Sequence, residues 1–212
     1  MNTRSLGNRY LVSAALIALL SACADETPSP PAAPPAGVHH EHMNMAADDP
    51  LGGQSLHQLE ARWTDQQGKD VQFADFAGQI VVLAMAYTHC EHACPRIIAD
   101  MRRIQNELVD AKQDLSFVLA SVDPERDTVE HLQQFARSSG LNDRGWRLIR
   151  APDETVRELA AVLGVQYRRV SESDFAHSNI ITVLGPGGEI RHQQKGLGVK
   201  PDATIAAIRD LD

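Results

Sequence analysis

The sequence has few cysteines, no apolar run long enough to cross a membrane and no excess of basic residues. Its 212 residues include three cysteines, and 28 Asp and Glu outnumber 20 Lys and Arg to give a formal net charge of −8. This acidic balance argues against a nucleic-acid partner, which would require a basic face. A four-ligand structural zinc site is also unsupported, because there is no second cysteine pair to complete one. Without an export segment and linker about 160 residues remain, enough for one domain whose core needs no disulfide.

Residues 1–22 have the features of a bacterial lipoprotein signal peptide. Arg4 and Arg9 form a positive n-region, and the apolar run Tyr10–Leu20 has eleven residues, whereas a membrane-spanning helix needs about 20. Small residues precede Cys23 as in a lipobox, so we predict cleavage there and acylation of Cys23. The protein is then exported and lipid-anchored, in the periplasm or on the outer face of the bacterial cell membrane. The alternative is ordinary cleavage that leaves Cys23 as a free thiol.

Residues 23–53 are predicted to be a tether. Residues 27–35 are rich in Pro and Ala and lack apolar periodicity, which indicates an extended, semi-rigid spacer. Residues 39–45 contain three His and two Met, side chains that soft and borderline metals accept as ligands. This His/Met segment is either a loose metal-collecting stretch or a polar linker, and the sequence leaves both interpretations open.

Residues 54–212 are predicted to form one α/β domain. The continuous apolar run Ile80–Tyr87 predicts a central strand buried on both faces. Residues 95–111 carry apolar side chains at helical spacing, and Pro95 suits a first helical turn. The other predicted strands are Leu59–Thr64, Val71–Phe73, Leu115–Val122, Trp146–Arg150, Val165–Arg169, Asn179–Leu184 and Glu189–Gln193. The other predicted helices are Asp127–Ser138, capped by Asp127 with Glu130 three residues on, Asp153–Leu163 and Pro201–Leu211.

The order of these elements predicts the fold class. Strands that alternate with helices imply parallel pairing through right-handed crossovers. A β-hairpin at the N-terminus of the domain and a second one inserted near the C-terminus add antiparallel strands. We therefore predict a thioredoxin-like fold, with a mixed central sheet flanked by helices.

Cys90 and Cys94 lie where the buried strand meets the next helix. Ligands bind at this carboxyl end of the strands in open α/β sheets. The positive end of the helix favours thiolate, so we expect lowered cysteine pKa values. With three residues between them, the two sulfurs can lie on one side of the first turn and form a disulfide or bind one soft ion. Thioredoxin-type redox enzymes have two residues between their cysteines, so this spacing differs from theirs.

Two thiolates make a soft metal site. Such a site favours Cu(I), with zinc as the usual competitor. A third ligand would suit either Cu(I) or Cu(II). The candidate third ligands are His89, His92, His131, His177 and His192.

Three signatures occur in order along the domain. They are Tyr87-Thr88-His89-Cys90-x-x-x-Cys94-Pro95, then Ser121-Val122-Asp123-Pro124-Glu125-Arg126-Asp127-Thr128, then His177-Ser178 followed by residues 180–188. From about residue 56 to the C-terminus the sequence resembles the Sco/SenC family of copper-binding, thioredoxin-fold proteins. The resemblance implies that Cys90, Cys94 and His177 bind copper as Cu(I) or Cu(II). It also implies copper delivery to the CuA site of cytochrome c oxidase, with that oxidase's copper-containing subunit or another copper or thiol protein as partner.

By the same resemblance the remaining polar residues have lesser roles. His89 and His92 are expected to be accessory groups beside the cysteines. His131 and His192 are expected to be ordinary polar surface residues, and Asp123 to be structural or to support the ligands. One residue departs from the family pattern: Glu91 stands where the family often has a proline, which bears on redox poise more than on the ligand set.

Other functions on the same fold are open. In a thiol–disulfide oxidoreductase, Cys90 would attack, Cys94 would resolve, and the pair would keep a partner's copper-site cysteines reduced. The chain would then be an enzyme, and the two cysteines would cycle through a disulfide. An inert structural disulfide is disfavoured by the exposed position expected at the end of the strand. A peroxidase is disfavoured because no peroxide-pocket signature accompanies Cys90.

Overall fold

The computed structural model describes most of the predicted domain. The described residues are 55–90, 93–109, 114–142, 145–171 and 174–211. They belong to one compact unit, residues 44–212, and none of the helices among them is long and apolar enough to span a membrane. The predictions for the signal peptide, Cys23, the tether, Glu91 and His92 lie outside the described residues.

The described residues form nine strands and four α-helices. The strands are β1 (Trp63–Asp65), β2 (Asp70–Val71), β3 (Ile80–Ala86), β4 (Leu115–Ser121), β5 (Trp146–Arg150), β6 (Tyr167–Arg169), β7 (Phe175–His177), β8 (Ile180–Leu184) and β9 (Ile190–Lys195). The helices are α1 (Ala93–Glu107), α2 (Val129–Ser138), α3 (Asp153–Val162) and α4 (Asp202–Arg209), with short 3-10 helices at Leu56–Gln58 and Phe73–Phe76.

Seven of the strands form one mixed sheet. Their order is β2-β1-β5-β4-β3-β8-β9. β3 pairs in parallel with β4, which pairs in parallel with β5, while β8 runs antiparallel to β3 on its other edge. β1–β2 and β8–β9 are the two antiparallel hairpins. The predicted mixed sheet with an early hairpin and a late one is confirmed.

β3 is the central strand that positions the cysteine loop. All seven of its residues are buried, as its unbroken apolar sequence predicts. It has strands hydrogen-bonded on both edges, and the apolar side of α1 packs against it with Ile97, Met101 and Ile104 buried. Helices α1 and α4 also pack against each other. The loop that follows β3 therefore starts from a fixed point in the core.

The structure differs from the predicted elements in several places. β1 begins at Trp63 instead of Leu59, and Phe73 belongs to a 3-10 helix instead of a strand. The cap of α2 is Thr128, whose side chain accepts the His131 N–H, so the predicted cap at Asp127 is wrong. β7 was not predicted, because the three residues Phe175–His177 are too few to carry a strand pattern. It pairs with β6 in a separate two-stranded sheet.

Candidate metal centre

The two cysteines lie around the first turn of α1, just beyond the end of β3. Cys94 is the second residue of α1 and is 1% exposed, whereas Cys90 is half-buried. Neither cysteine forms a disulfide. The Ala93 N–H donates to Cys90 Sγ at 3.3 Å, and the Tyr87 N–H donates to Cys94 Sγ at 3.3 Å. The backbone of the strand–helix junction thus orients both sulfurs, and a side-chain hydrogen bond links the two thiols.

The Cys94 thiol is less acidic than the sequence predicted. Burial raises its pKa, and the neighbouring Cys90 and the Asp127 carboxylate raise it further against the opposing effect of the Tyr87 N–H. The expectation of a lowered pKa is therefore wrong for Cys94. Loss of solvation outweighs the partial positive charge of the helix end because the sulfur lies inside the core. A cation that binds Cys94 has to displace its proton.

His177 ends β7 and has the features of a metal ligand. Its Nδ1 lies 3.2 Å from the carbonyl oxygen of Ser178, which can only accept, so Nδ1 carries the proton and Nε2 has a free lone pair. Nε2 is buried and has no hydrogen-bond partner among the described residues. Burial also lowers the pKa of His177, which favours the neutral imidazole that metals bind. A buried polar atom without a partner requires an explanation, and a bound soft or borderline metal ion supplies one.

Tyr87 connects the cysteine loop to the strand that carries His177. Its side chain is 2% exposed, its hydroxyl donates to Asp174, and the Phe175 N–H donates to its hydroxyl oxygen at 3.2 Å. Its ring lies edge-on to the imidazole of His177, with 6.0 Å between ring centroids. Burial, Asp174 and the Cys90 thiol all raise the pKa of Tyr87, which keeps the hydroxyl protonated. Cys90 and His177 therefore contact the same side chain from two different parts of the chain.

Asp127 supports the opposite side of the cysteine loop. Its carboxylate is fully buried and accepts hydrogen bonds from the Thr88 hydroxyl, from the Thr88 N–H at 3.2 Å and from the Ser121 hydroxyl at 2.6 Å. It also lines a small cavity of about 20 Å³ together with Cys94. The sequence analysis missed this role, although Asp127 belongs to the second signature. Its carboxylate is held by the loop after β3, which leaves Thr128 to cap α2.

The structure also shows the surroundings of most of the other candidate residues. Asp123 forms an ion pair with Arg126. The Arg126 guanidinium lies 5.9 Å from the centroid of the Tyr87 ring, so Asp123 contacts the site only indirectly, through Arg126. His192 is half-buried on β9. The rings of His89 and His131 stack with 4.3 Å between centroids, a contact that the expectation of an ordinary surface residue at His131 did not include.

A Tyr87→Phe substitution is expected to loosen β7 without disturbing the core. It keeps the buried ring and removes only the hydroxyl that binds Asp174 and Phe175. Each of these two hydrogen bonds contributes about 0.5–1.5 kcal/mol, so the free energy of unfolding should fall by about 1–3 kcal/mol. Amide hydrogen exchange in β6 and β7 should accelerate more than in β3.

Tyr167→Phe is the matched control for this substitution. Tyr167 lies on β6 opposite His177, and its buried hydroxyl has no hydrogen-bond partner on β7. Burial raises its pKa, against the opposing effect of the Arg157 guanidinium. Loss of this hydroxyl should leave exchange in β7 unchanged. Equal acceleration in both variants would contradict the role given to Tyr87.

Comparison with known proteins identifies the family. Residues 53–211 match the SCO1/SenC family. The SCO1 protein homolog of Bacillus subtilis is 25% identical over 149 residues, which cover 68% of this chain and 77% of that protein. Arabidopsis thaliana ScoI with copper bound superposes with a TM-score of 0.64 at 20% identity, over 71% of this chain and 96% of that chain. A SCO1/SenC family lipoprotein from Bacillus anthracis superposes with a TM-score of 0.65 at 23% identity, over 71% and 91%.

The two structural matches confirm the predicted thioredoxin-like fold. The family match covers more than half of the sequence and includes all three signatures. The chain therefore belongs to the SCO1/SenC family.

Proposed function

We propose that this protein binds copper through Cys90, Cys94 and His177 and delivers it to a partner. The observation that carries the proposal is the buried Nε2 of His177, which has no hydrogen-bond partner among the described residues. The His177 ring lies against Tyr87, which also contacts the Cys90 thiol. Two sulfurs and one imidazole nitrogen form a donor set suited to copper. The copper-bound ScoI relative supports this assignment.

Copper is the cargo in this proposal, and the cysteines and His177 have different roles in binding it. Cys90 and Cys94 hold Cu(I) as thiolates, after Cys94 releases the proton that its burial retains. His177 adds a nitrogen ligand for Cu(II), which thiolates alone suit less well. A partner's thiols then displace the ligands one at a time. Half-buried Cys90 is the ligand that an incoming thiol reaches first.

The partner and the location follow from the family resemblance and the N-terminal sequence. We propose the copper-containing subunit of cytochrome c oxidase, with its CuA site, as the recipient, or another copper or thiol protein. Acylated Cys23 and the tether of residues 23–53 would hold the domain at the outer face of the cell membrane, near a membrane-bound recipient. The lipoprotein relative from Bacillus anthracis supports this anchor.

A second candidate function is thiol–disulfide exchange. The unequal exposure of the two thiols favours it, because Cys90 can be reached by a partner and Cys94 is protected. In this reaction the Cys90 thiolate attacks a partner's disulfide and releases one partner thiolate. Cys94 then attacks Cys90 Sγ and releases the second. The partner is reduced by two electrons, and Cys90 and Cys94 are oxidised to the disulfide that the sequence predicts.

Metal transfer to a recipient tests the proposal directly. The reduced, Cu(I)-loaded chain is mixed with an oxidase CuA domain whose cysteines are reduced and whose copper has been removed. We expect copper to move to the recipient, as measured by metal analysis after separation of the two proteins. Repeating the experiment with the recipient cysteines oxidised separates the alternatives. A chain that reduces this recipient but transfers no copper to either form is an oxidoreductase, and the delivery proposal is then wrong.

A further inference from the structure

We propose that His89, Asp127 and His131 form a second metal site, for a borderline divalent cation such as Zn²⁺ or Cu²⁺. One ring nitrogen of each histidine and one oxygen of Asp127 lie within 4.8 Å of one another. The residues come from three places in the chain: the loop after β3, the loop after β4, and the first turns of α2. The site is distinct from the cysteine–histidine site, and its existence does not depend on the proposed function.

The separation of His89 and Asp127 already fits a shared cation. His89 Nδ1 lies 3.5 Å from Asp127 Oδ1. Ligand atoms bound to one tetrahedral zinc ion at about 2.0–2.1 Å lie about 3.3–3.4 Å apart. A separation of 3.5 Å is long for a direct hydrogen bond and close to that of two ligands on one ion.

Hydrogen bonds orient the Asp127 carboxylate, as they do for carboxylates that bind metals. The Thr88 hydroxyl, the Thr88 N–H and the Ser121 hydroxyl all donate to it, so the orientation of the carboxylate inside the core is fixed. Its Oδ1 still faces the His89 ring. A buried carboxylate near two imidazoles is a nitrogen–oxygen donor set, which suits Zn²⁺ or Cu²⁺ better than Cu(I).

The two histidines can close on a cation with a small movement. Their rings are nearly parallel, with an interplanar angle of 11°, and a metal must lie near the plane of each ring whose nitrogen it binds. One ring therefore has to tilt. The side chain of His89 is 35% exposed and can rotate, whereas His131 is held on α2 and Asp127 by its hydrogen bonds. Exposure of His89 also gives a cation access from solvent.

The test removes the proposed copper ligands and the tether histidines and keeps the cluster. The background is the full chain carrying Cys90→Ser, Cys94→Ser and His177→Ala, and also His39→Ala, His40→Ala and His42→Ala. Zn²⁺ binding is measured by calorimetry, and Cu²⁺ binding by electron paramagnetic resonance, which reports nitrogen ligands. His131→Gln is compared with His192→Gln, a histidine on β9 that is not in the cluster. His89→Gln is the second cluster variant.

We expect one Zn²⁺ per background chain. Loss of a residue that only orients a metal ligand typically weakens metal affinity by ~10–100-fold. His131→Gln and His89→Gln each remove a ligand itself, so each should weaken Zn²⁺ affinity by at least that factor. His192→Gln should leave the affinity unchanged, and the Cu²⁺ spectrum should show nitrogen coupling that His131→Gln reduces. Absence of Zn²⁺ binding in the folded background, or equal affinities in the His131 and His192 variants, would overturn the proposal. Because the background has no cysteine–histidine site, neither result bears on copper delivery.

Discussion

Cys94→Ser is expected to remove almost all Cu(I) affinity from the reduced chain. Zinc binding to a four-ligand structural site releases about 10–16 kcal/mol, or about 2.5–4 kcal/mol for each ligand. If one thiolate contributes as much to Cu(I) binding, its loss lowers the affinity by about 100–1000-fold. Cys90→Ser should have an effect of the same order. A serine hydroxyl is a harder donor that Cu(I) accepts poorly. Competition with a chromophoric Cu(I) chelator measures the loss.

The third cysteine of the chain provides the matched control. Cys23→Ser also removes one thiol, but from the predicted anchor, and it should leave Cu(I) affinity unchanged. Serine at position 94 can still accept the Tyr87 N–H, so the fold should persist, which a thermal unfolding curve checks. Unchanged Cu(I) affinity in both Cys90→Ser and Cys94→Ser would exclude the dithiol as the copper site.

The sequence predicted the parts of the site that depend on local pattern. A short, unbroken apolar run that contains Ile and Val suits a strand buried on both faces, so β3 was predictable to within one residue. Two cysteines at the end of that strand necessarily lie near the start of α1. The order of strands and helices then restricts the topology, which is why the mixed sheet with its two hairpins could be predicted.

The sequence did not predict the contacts that depend on distant pairing. Tyr87 meets Asp174 and Phe175 across 87 and 88 positions of the chain, and periodicity carries no information about such contacts. Asp127 has the residue type of a helix cap, and only the position of Thr88 in space shows that its carboxylate is used elsewhere. The raised pKa of Cys94 likewise follows from depth in the core, which the sequence position at a helix end does not give.

His177→Ala is expected to separate Cu(II) binding from Cu(I) binding. Two thiolates satisfy Cu(I), so its affinity should change little. Cu(II) needs the imidazole nitrogen as well. One ligand of a structural zinc site contributes about 2.5 kcal/mol, so loss of the imidazole should weaken Cu(II) binding by about 100-fold. Direct titration, with optical spectra to follow the sulfur-to-copper charge-transfer bands, measures both affinities.

The same variant distinguishes the two proposed functions. Thiol–disulfide exchange uses only Cys90 and Cys94, so the His177→Ala chain should reduce a partner disulfide at the rate of the unaltered chain. His192→Ala, which removes a half-buried histidine whose pKa is also lowered by burial, controls for the loss of an imidazole elsewhere in the domain. If cells that carry His177→Ala assemble a fully active oxidase under copper limitation, the protein works through its thiols alone. If oxidase assembly fails while disulfide reduction persists, the imidazole serves copper delivery. Its buried Nε2, which has no hydrogen-bond partner in the part of the chain that the structure describes, supports this role.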